Sequence, residues 1–180
     1  MLKSILLENF KAFGSAQELE LAPITLIFGR NSSGKSSIIQ SLLVHKQSTL
    51  ENSRDLKKLI TNSYLVDLGS YKNVTHNQEP ERNIRFGFTF SPLDLRPDLS
   101  GQALTSNFTK SVSFEYSGPG EDWEYYEDSS AYIQKIVYRL IDPNDTDTVL
   151  DLEFSPWADE HTNGEWNYSF DLSSLKNFAQ

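Results

Sequence analysis

The clearest chemistry in this chain sits in eight consecutive residues, Gly29-Arg30-Asn31-Ser32-Ser33-Gly34-Lys35-Ser36. They match G-x-x-x-x-G-K-[ST] at every fixed position. Four residues between the two glycines let the backbone curl until successive N–H groups converge on one anion. A helix that begins at Lys35 adds the positive end of its dipole to that nest. In such a loop Lys35 reaches the β- and γ-phosphates of a nucleotide, and the Ser36 hydroxyl ligates its Mg²⁺. The rival reading is a serine-rich turn that matches by coincidence, and the flanking elements decide between the two.

Those flanks have the required character. Ile24-Thr25-Leu26-Ile27-Phe28, after Pro23, is an almost wholly apolar run, as expected of a strand buried on both faces of a parallel sheet. From Lys35 to about Gln47, Ile38, Ile39, Leu42, Leu43 and Lys46 recur at helical spacing, which predicts an amphipathic helix. Upstream, Ser4 to Phe10 and Glu18 to Leu21 surround the polar turn Lys11 to Gln17 and predict a β-hairpin. A second, more exposed helix is expected around Arg54 to Ile60. From Asn83 the period changes to two. Ile84, Phe86, Phe88 and Phe90 alternate with Arg85, Gly87 and Thr89, a half-buried strand. Further strands are expected at Val112–Tyr116, Trp123–Tyr126, Tyr132–Ile141, Thr148–Phe154 and Trp166–Leu172, and Ser91 to Asn107 reads as a loop. The predicted organisation is a β-α-β start, residues 1–47, a helical and loop connection, 48–82, and an antiparallel β-rich region, 83–180.

Composition narrows the classes that remain. The chain of 180 residues carries 16 basic and 25 acidic side chains, a net charge of −9, which argues against a surface built to coat nucleic acid. With no Cys and three His, a disulfide scaffold, a thiolate metal site and a cysteine nucleophile are excluded. No apolar run approaches the ~18 residues of a membrane helix, and the N-terminus lacks a signal-peptide cleavage pattern. A cytoplasmic protein without a membrane partner is the expectation.

The order of these pieces resembles a known family. Leu6-Leu7-Glu8-Asn9-Phe10-Lys11-Ala12-Phe13, followed by Phe28-Gly29-Arg30-Asn31-Ser32-Ser33-Gly34-Lys35-Ser36-Ser37, is similar to the opening of ABC-type ATPase heads of the SMC, RecF and OLD-nuclease class. The closer likeness is to bacterial AAA ATPases of that class, many of them found in anti-phage systems, and Val66 to Val74 resembles a stretch of that subgroup. The resemblance implies an α/β P-loop NTPase head lobe with an N-terminal hairpin, a P-loop strand and helix, and an antiparallel β-rich subdomain. It implies that Gly29, Asn31, Ser32, Ser33, Gly34, Lys35, Ser36 and Ser37 wrap the phosphates of ATP, and that Lys11, Ala12 and Phe13 lie beside the base or ribose. It offers Gln78 as the nearest counterpart of a glutamine that touches Mg²⁺ or the attacking water. Implied partners are the remaining C-terminal part of the head, a second copy in a homodimer or larger homo-oligomer, and an effector nuclease or toxin. DNA is a partner of the class, one that the acidic balance does not support.

Other parts of such a head have no convincing counterpart here. Hydrolysis in this class requires an apolar strand ending in Asp-Glu and an L-S-G-G-Q-like signature donated across a dimer. Leu99-Ser100-Gly101-Gln102 lacks one Gly, and Thr148-Val149-Leu150-Asp151-Leu152-Glu153 alternates like a hairpin strand. The chain therefore reads as the N-terminal lobe of a longer ATPase, one that binds ATP and Mg²⁺ by itself but turns ATP over negligibly. An alternative is a nucleotide-gated scaffold or sensor that controls an effector. A GTPase is disfavoured because no N-K-x-D motif occurs, and a small kinase because no Arg-rich lid does. His45, His76 and His161 show no metal-ligand spacing. His45 is expected to be a partly exposed helical residue, and Phe10 and Phe13 are read as core aromatics before base-stacking ones.

Overall fold

Alternating apolar residues build one continuous antiparallel sheet, seen in a computed structural model that describes residues 1–31, 33–51, 58–91, 109–118, 131–141, 148–157 and 167–171. Its strands are β1 (Leu2–Glu8), β2 (Gln17–Glu20), β3 (Lys58–Leu59), β4 (Ile84–Phe90), β5 (Thr109–Ser117), β6 (Ala131–Ile141), β7 (Thr148–Trp157) and β8 (Asn167–Asp171). The order across the sheet is β2-β1-β4-β5-β6-β7-β8, and β3 pairs with the first two residues of β6. The hairpin expected at the N-terminus is present as β1 and β2, with Ser4 opposite Glu20 and Leu7 opposite Gln17. It joins the later strands directly through β1 and β4, where Leu7 faces Phe86 and Ile5 faces Phe88.

The period of two sorts the sheet into two unlike faces. Ile5 and Leu7 of β1, Ile84, Phe86 and Phe88 of β4, and Tyr116 of β5 are buried on the inner face. Phe86 meets Phe10 edge-on at 5.1 Å and Tyr116 at 6.0 Å, favourable T-shaped arrangements. The outer face carries charges in alternating sign across neighbouring strands. Glu8 lies opposite Arg85, Arg85 opposite Glu115, and Glu115 opposite Lys135. Ion pairs of 2.7 Å close both ends of this row, Arg85 with Glu8 and Lys135 with Glu153. Each such cross-strand pair is worth roughly 0.2–1 kcal/mol and keeps this face in water.

Against the inner face lies α1 (Lys35–Glu51), followed in sequence by the short α2 (Tyr71–Val74) and a 3₁₀ turn, His76–Gln78. The side of α1 turned inward is Ser37, Ile38, Ser41, Val44, Gln47 and Ser48, mostly small or polar residues. Its polar atoms are satisfied locally. Ser41 Oγ donates to Ile38 O at 2.7 Å and Ser48 Oγ to Val44 O at 2.7 Å. The fully buried Gln47 amide donates to Ile60 O at 2.6 Å and accepts from Val66 N–H at 3.0 Å. Ser48 Oγ also accepts the Ile60 N–H at 2.8 Å, so two side chains of α1 fasten the strand end that follows β3.

Four expectations are corrected here. Ile24 to Phe28 is not a strand buried between others. It pairs with no strand, and Ile24, Leu26 and Phe28 are 83, 72 and 84% exposed. Every strand ladder among the described residues is antiparallel, so the parallel β-α-β start is absent from them. The inward side of α1 is the serine-rich one, its buried residues being Ser37, Ile38, Ser41, Val44, Gln47 and Ser48. Ile39 and Leu42, expected inward, stand exposed with Leu50. The helix expected around Arg54 to Ile60 gives way at its described end to β3, whose two residues complete an edge of β6. The strand expected at Trp123–Tyr126 and the loop Ser91–Asn107 lie mostly or wholly outside the described residues.

Candidate phosphate-binding site

The phosphate loop lies at the junction of the exposed run, the hairpin tip and the start of α1. Gly34 adopts φ +88°, the left-handed region that glycine tolerates best. A β-carbon there would stand 2.9 Å from Ala12 Cβ and 3.6 Å from the Phe13 ring, so loop and hairpin tip touch at a spot only glycine fits. The loop is shaped by Ser33 N–H donating to Arg30 O at 3.3 Å and Ser37 N–H donating to Gly34 O at 3.0 Å. Asn31, Ser33 and Ser36 are exposed at its mouth, Ser37 is buried beneath it, and Ser32 lies outside the described residues. No acidic residue occupies the first turn of α1, so the helix itself does not neutralise its positive end.

Lys35 supplies the mobile charge. Its ammonium donates to Gly29 O at 2.8 Å and Arg30 O at 2.5 Å, bridging the loop's own carbonyls. A phosphate oxygen that replaces these acceptors gives the ammonium an anionic partner in place of two neutral carbonyls.

The hairpin tip lies against this loop, and its three residues differ in exposure. Ala12 is exposed against Gly34, and Lys11 is half-buried. Phe13 is only 7% exposed and sits in the core cluster with Phe10, so its ring packs and its faces are not open to a base. Gln78 is exposed, with φ +58°, and its backbone N–H donates to Thr75 O at 3.3 Å. No side-chain hydrogen bond of Gln78 occurs among the described residues. Glu153, one of two acids in the decoy strand, pairs with Lys135 on the outer face, away from α1. Asp151 falls opposite Arg139 in the same ladder. Leu99 to Gln102 lies outside the described residues.

Two histidines have environments that sequence spacing did not disclose. His45 is half-buried as a residue, but its imidazole lies between Phe88 and Phe114, 4.7 Å from each ring centre. Its Nδ1 is buried with no partner, and burial pulls the ring down from 6.5 to about 4. His76 connects the hairpin tip with the segment after α2. Its Nδ1 lies 2.7 Å from Lys11 O and, facing a carbonyl, carries the proton. Nearby, burial raises the Tyr71 phenol to about 12 while it donates to Tyr116 O at 3.0 Å. Among the described residues no group of three or more His, Asp or Glu is placed to hold a metal ion, and no helix is long and apolar enough to cross a membrane.

A glycine-framed loop with its lysine at a helix N-terminus, beside a mixed α/β body, is compatible with a P-loop NTPase. The family profile of an AAA ATPase domain matches residues 1–178, and the chain belongs to that family. A search of the curated proteins finds no match.

Proposed function

We propose that this chain is the ATP- and magnesium-binding lobe of an ABC-type ATPase head, of the SMC, RecF and OLD-like kind. One observation carries the reading. The loop Gly29–Ser36 sits between the hairpin tip and a helix N-terminus with no acidic residue in its first turn, with Lys35 held over it by carbonyls that a phosphate can replace. Ser36, exposed at the first turn, is the magnesium ligand, and Ala12 with Lys11 borders the nucleoside. Nucleotide then drives dimerisation or assembly, with a role in DNA maintenance or anti-phage defence and a cytoplasmic site of action.

The partners are supported by exposed apolar surface. Ile24, Leu26, Ile27 and Phe28 are exposed to solvent, and Ile39, Leu42 and Leu50 add an apolar stripe on α1. Surfaces of this kind mark interaction sites. Their occupant in this reading is the remaining C-terminal part of the head, and a second copy then closes over the phosphates. The alternative, a nucleotide-gated scaffold that controls an effector nuclease or toxin with negligible turnover, draws on the engagement of Glu153 with Lys135.

The test is calorimetric titration with Mg-ATP. Wild type is expected to bind, and Lys35→Ala to lose binding with an unchanged melting temperature. GTP is expected to compete poorly with labelled ATP. Equal affinity in both proteins removes the assignment, and equal displacement by GTP removes the adenine preference. Phosphate release near an ordinary ~1 s⁻¹ from residues 1–180 would overturn the binding-only reading of the isolated lobe.

A further inference from the structure

The hairpin tip is held from two sides. Gly34 of the phosphate loop touches Ala12 and Phe13 on one. On the other, the segment after α2 grips it with an unusual density of hydrogen bonds. Lys11 N–H donates to Val74 O at 2.7 Å, and His76 Nδ1–H donates to Lys11 O at 2.7 Å, so both backbone groups of one residue are fixed. The His76 N–H is shared between Asn9 O at 3.3 Å and Asn9 Oδ1 at 3.2 Å. Asn9, fully buried, donates through Nδ2 to Arg82 O at 2.7 Å, and Arg82 Nη2 returns to Gly14 O at 2.9 Å. The imidazole also lies flat against Gly14, where a β-carbon would come within 2.7 Å of Cδ2 and Nε2. Asn9 and Lys11 both have positive φ, 51° and 49°, conformations that need such external fastening in non-glycine residues.

We propose that His76 is a positioning residue for nucleotide recognition: it holds the tip Lys11–Gly14 on the phosphate loop, so that the segment 74–82 sets how tightly the nucleoside is gripped. The inference rests on the nucleotide-binding reading above and adds a division of labour. Lys35 and the loop hold the phosphates, and His76 governs only what the tip contributes. The ring acts through Lys11 and need not touch the ligand.

Two probes separate the contributions, Mg-ATP and magnesium tripolyphosphate, which has the phosphates without the nucleoside. His76→Leu is expected to weaken ATP about 10-fold, the factor that accompanies one lost hydrogen bond, and to leave tripolyphosphate affinity unchanged. His76→Asn, whose amide N–H falls near the position of Nδ1–H, is expected to restore ATP to within about 3-fold of wild type. Gly14→Ala displaces the ring from the opposite side and should reproduce His76→Leu. A parallel loss of both ligands in His76→Leu and Gly14→Ala, unchanged ATP affinity in His76→Leu, or failure of Asn to rescue overturns the inference. Tripolyphosphate affinity equal in wild type and Lys35→Ala would instead overturn the phosphate-loop reading, and the inference with it.

Discussion

Acid should undock α1 through a single imidazole. His45 lies between Phe88 and Phe114 with a buried, unpartnered Nδ1, and its titration is pulled down from 6.5 to about 4 by burial. Above pH 6.5 the ring is neutral in folded and unfolded chains, and it contributes no pH dependence. As pH falls below 6.5 the unfolded chain takes up the proton first, while the folded chain resists until about pH 4. Stability is therefore lost across that window and levels off beneath it. The gap of about 2.5 pH units, at 1.36 kcal/mol each, amounts to roughly 3 kcal/mol, a large share of an ordinary domain's 5–15 kcal/mol. His45→Leu removes the titrating group and the orphaned nitrogen together, so the variant should be more stable than wild type by about 1 kcal/mol at pH 7.5. The assay is urea unfolding of both proteins between pH 7.5 and 4. Carboxylates titrate alike in the two and cancel in the difference, which is expected to widen by about 1.4 kcal/mol per pH unit below 6.5. A constant difference across that range would refute the argument.

Gly34→Ala should cost about 1–2 kcal/mol through its left-handed backbone alone. It should also weaken ATP more than 10-fold by pushing Ala12 off the loop, measured by melting and titration together. Gln47→Leu removes the partners of the half-buried Ile60 carbonyl and Val66 N–H and should destabilise by about 1–3 kcal/mol in urea unfolding. Ile24→Ser with Phe28→Ser alters side chains that face water, so stability should stay within about 0.5 kcal/mol while self-association in sedimentation velocity falls. Unchanged sedimentation would show that this run is not what holds copies together.

What was legible in the sequence follows from the range of each signal. The β4 alternation Ile84-Arg85-Phe86-Gly87-Phe88 reports a strand with one dry face, and the loop motif reports its own backbone path. Both are local. The fate of Ile24 to Phe28 is not, since an apolar run states what it needs for neighbours and not whether the chain in view supplies them. Hydrophobic periodicity also misplaced the inward side of α1. Ser37, Ser41 and Ser48 are buried, and intrahelical bonds satisfy the hydroxyls of Ser41 and Ser48, so polar residues take inward positions that hydropathy assigns to apolar ones. The clamp joining Asn9, Lys11 and His76 spans 65 to 67 residues and has no period to detect. Its faint signal was chemical, two Asn residues at turns, Asn9 and Asn77, both of which adopt positive φ.

The placement of the uncovered apolar surface bears on how binding is regulated. Ile24 to Phe28 runs directly into Gly29, and Ile39 lies one turn beyond Lys35, so the exposed stripes bracket the phosphate loop in sequence and in space. The outer face of the sheet, by contrast, carries ion pairs of its own among the described residues, Arg85 with Glu8 and Lys135 with Glu153. In the proposed reading, a partner that covers the two stripes also restrains both ends of the loop. A bound nucleotide restrains the same ends from within. Linkage then requires reciprocity: if docking raises nucleotide affinity by some factor, nucleotide raises docking affinity by that same factor. The direction follows from the shared ordering. A loop already fixed by one event has less freedom left to lose in the second, so each favours the other without further change of shape. The proposed control of assembly by nucleotide would need only this coupling, and no hydrolysis.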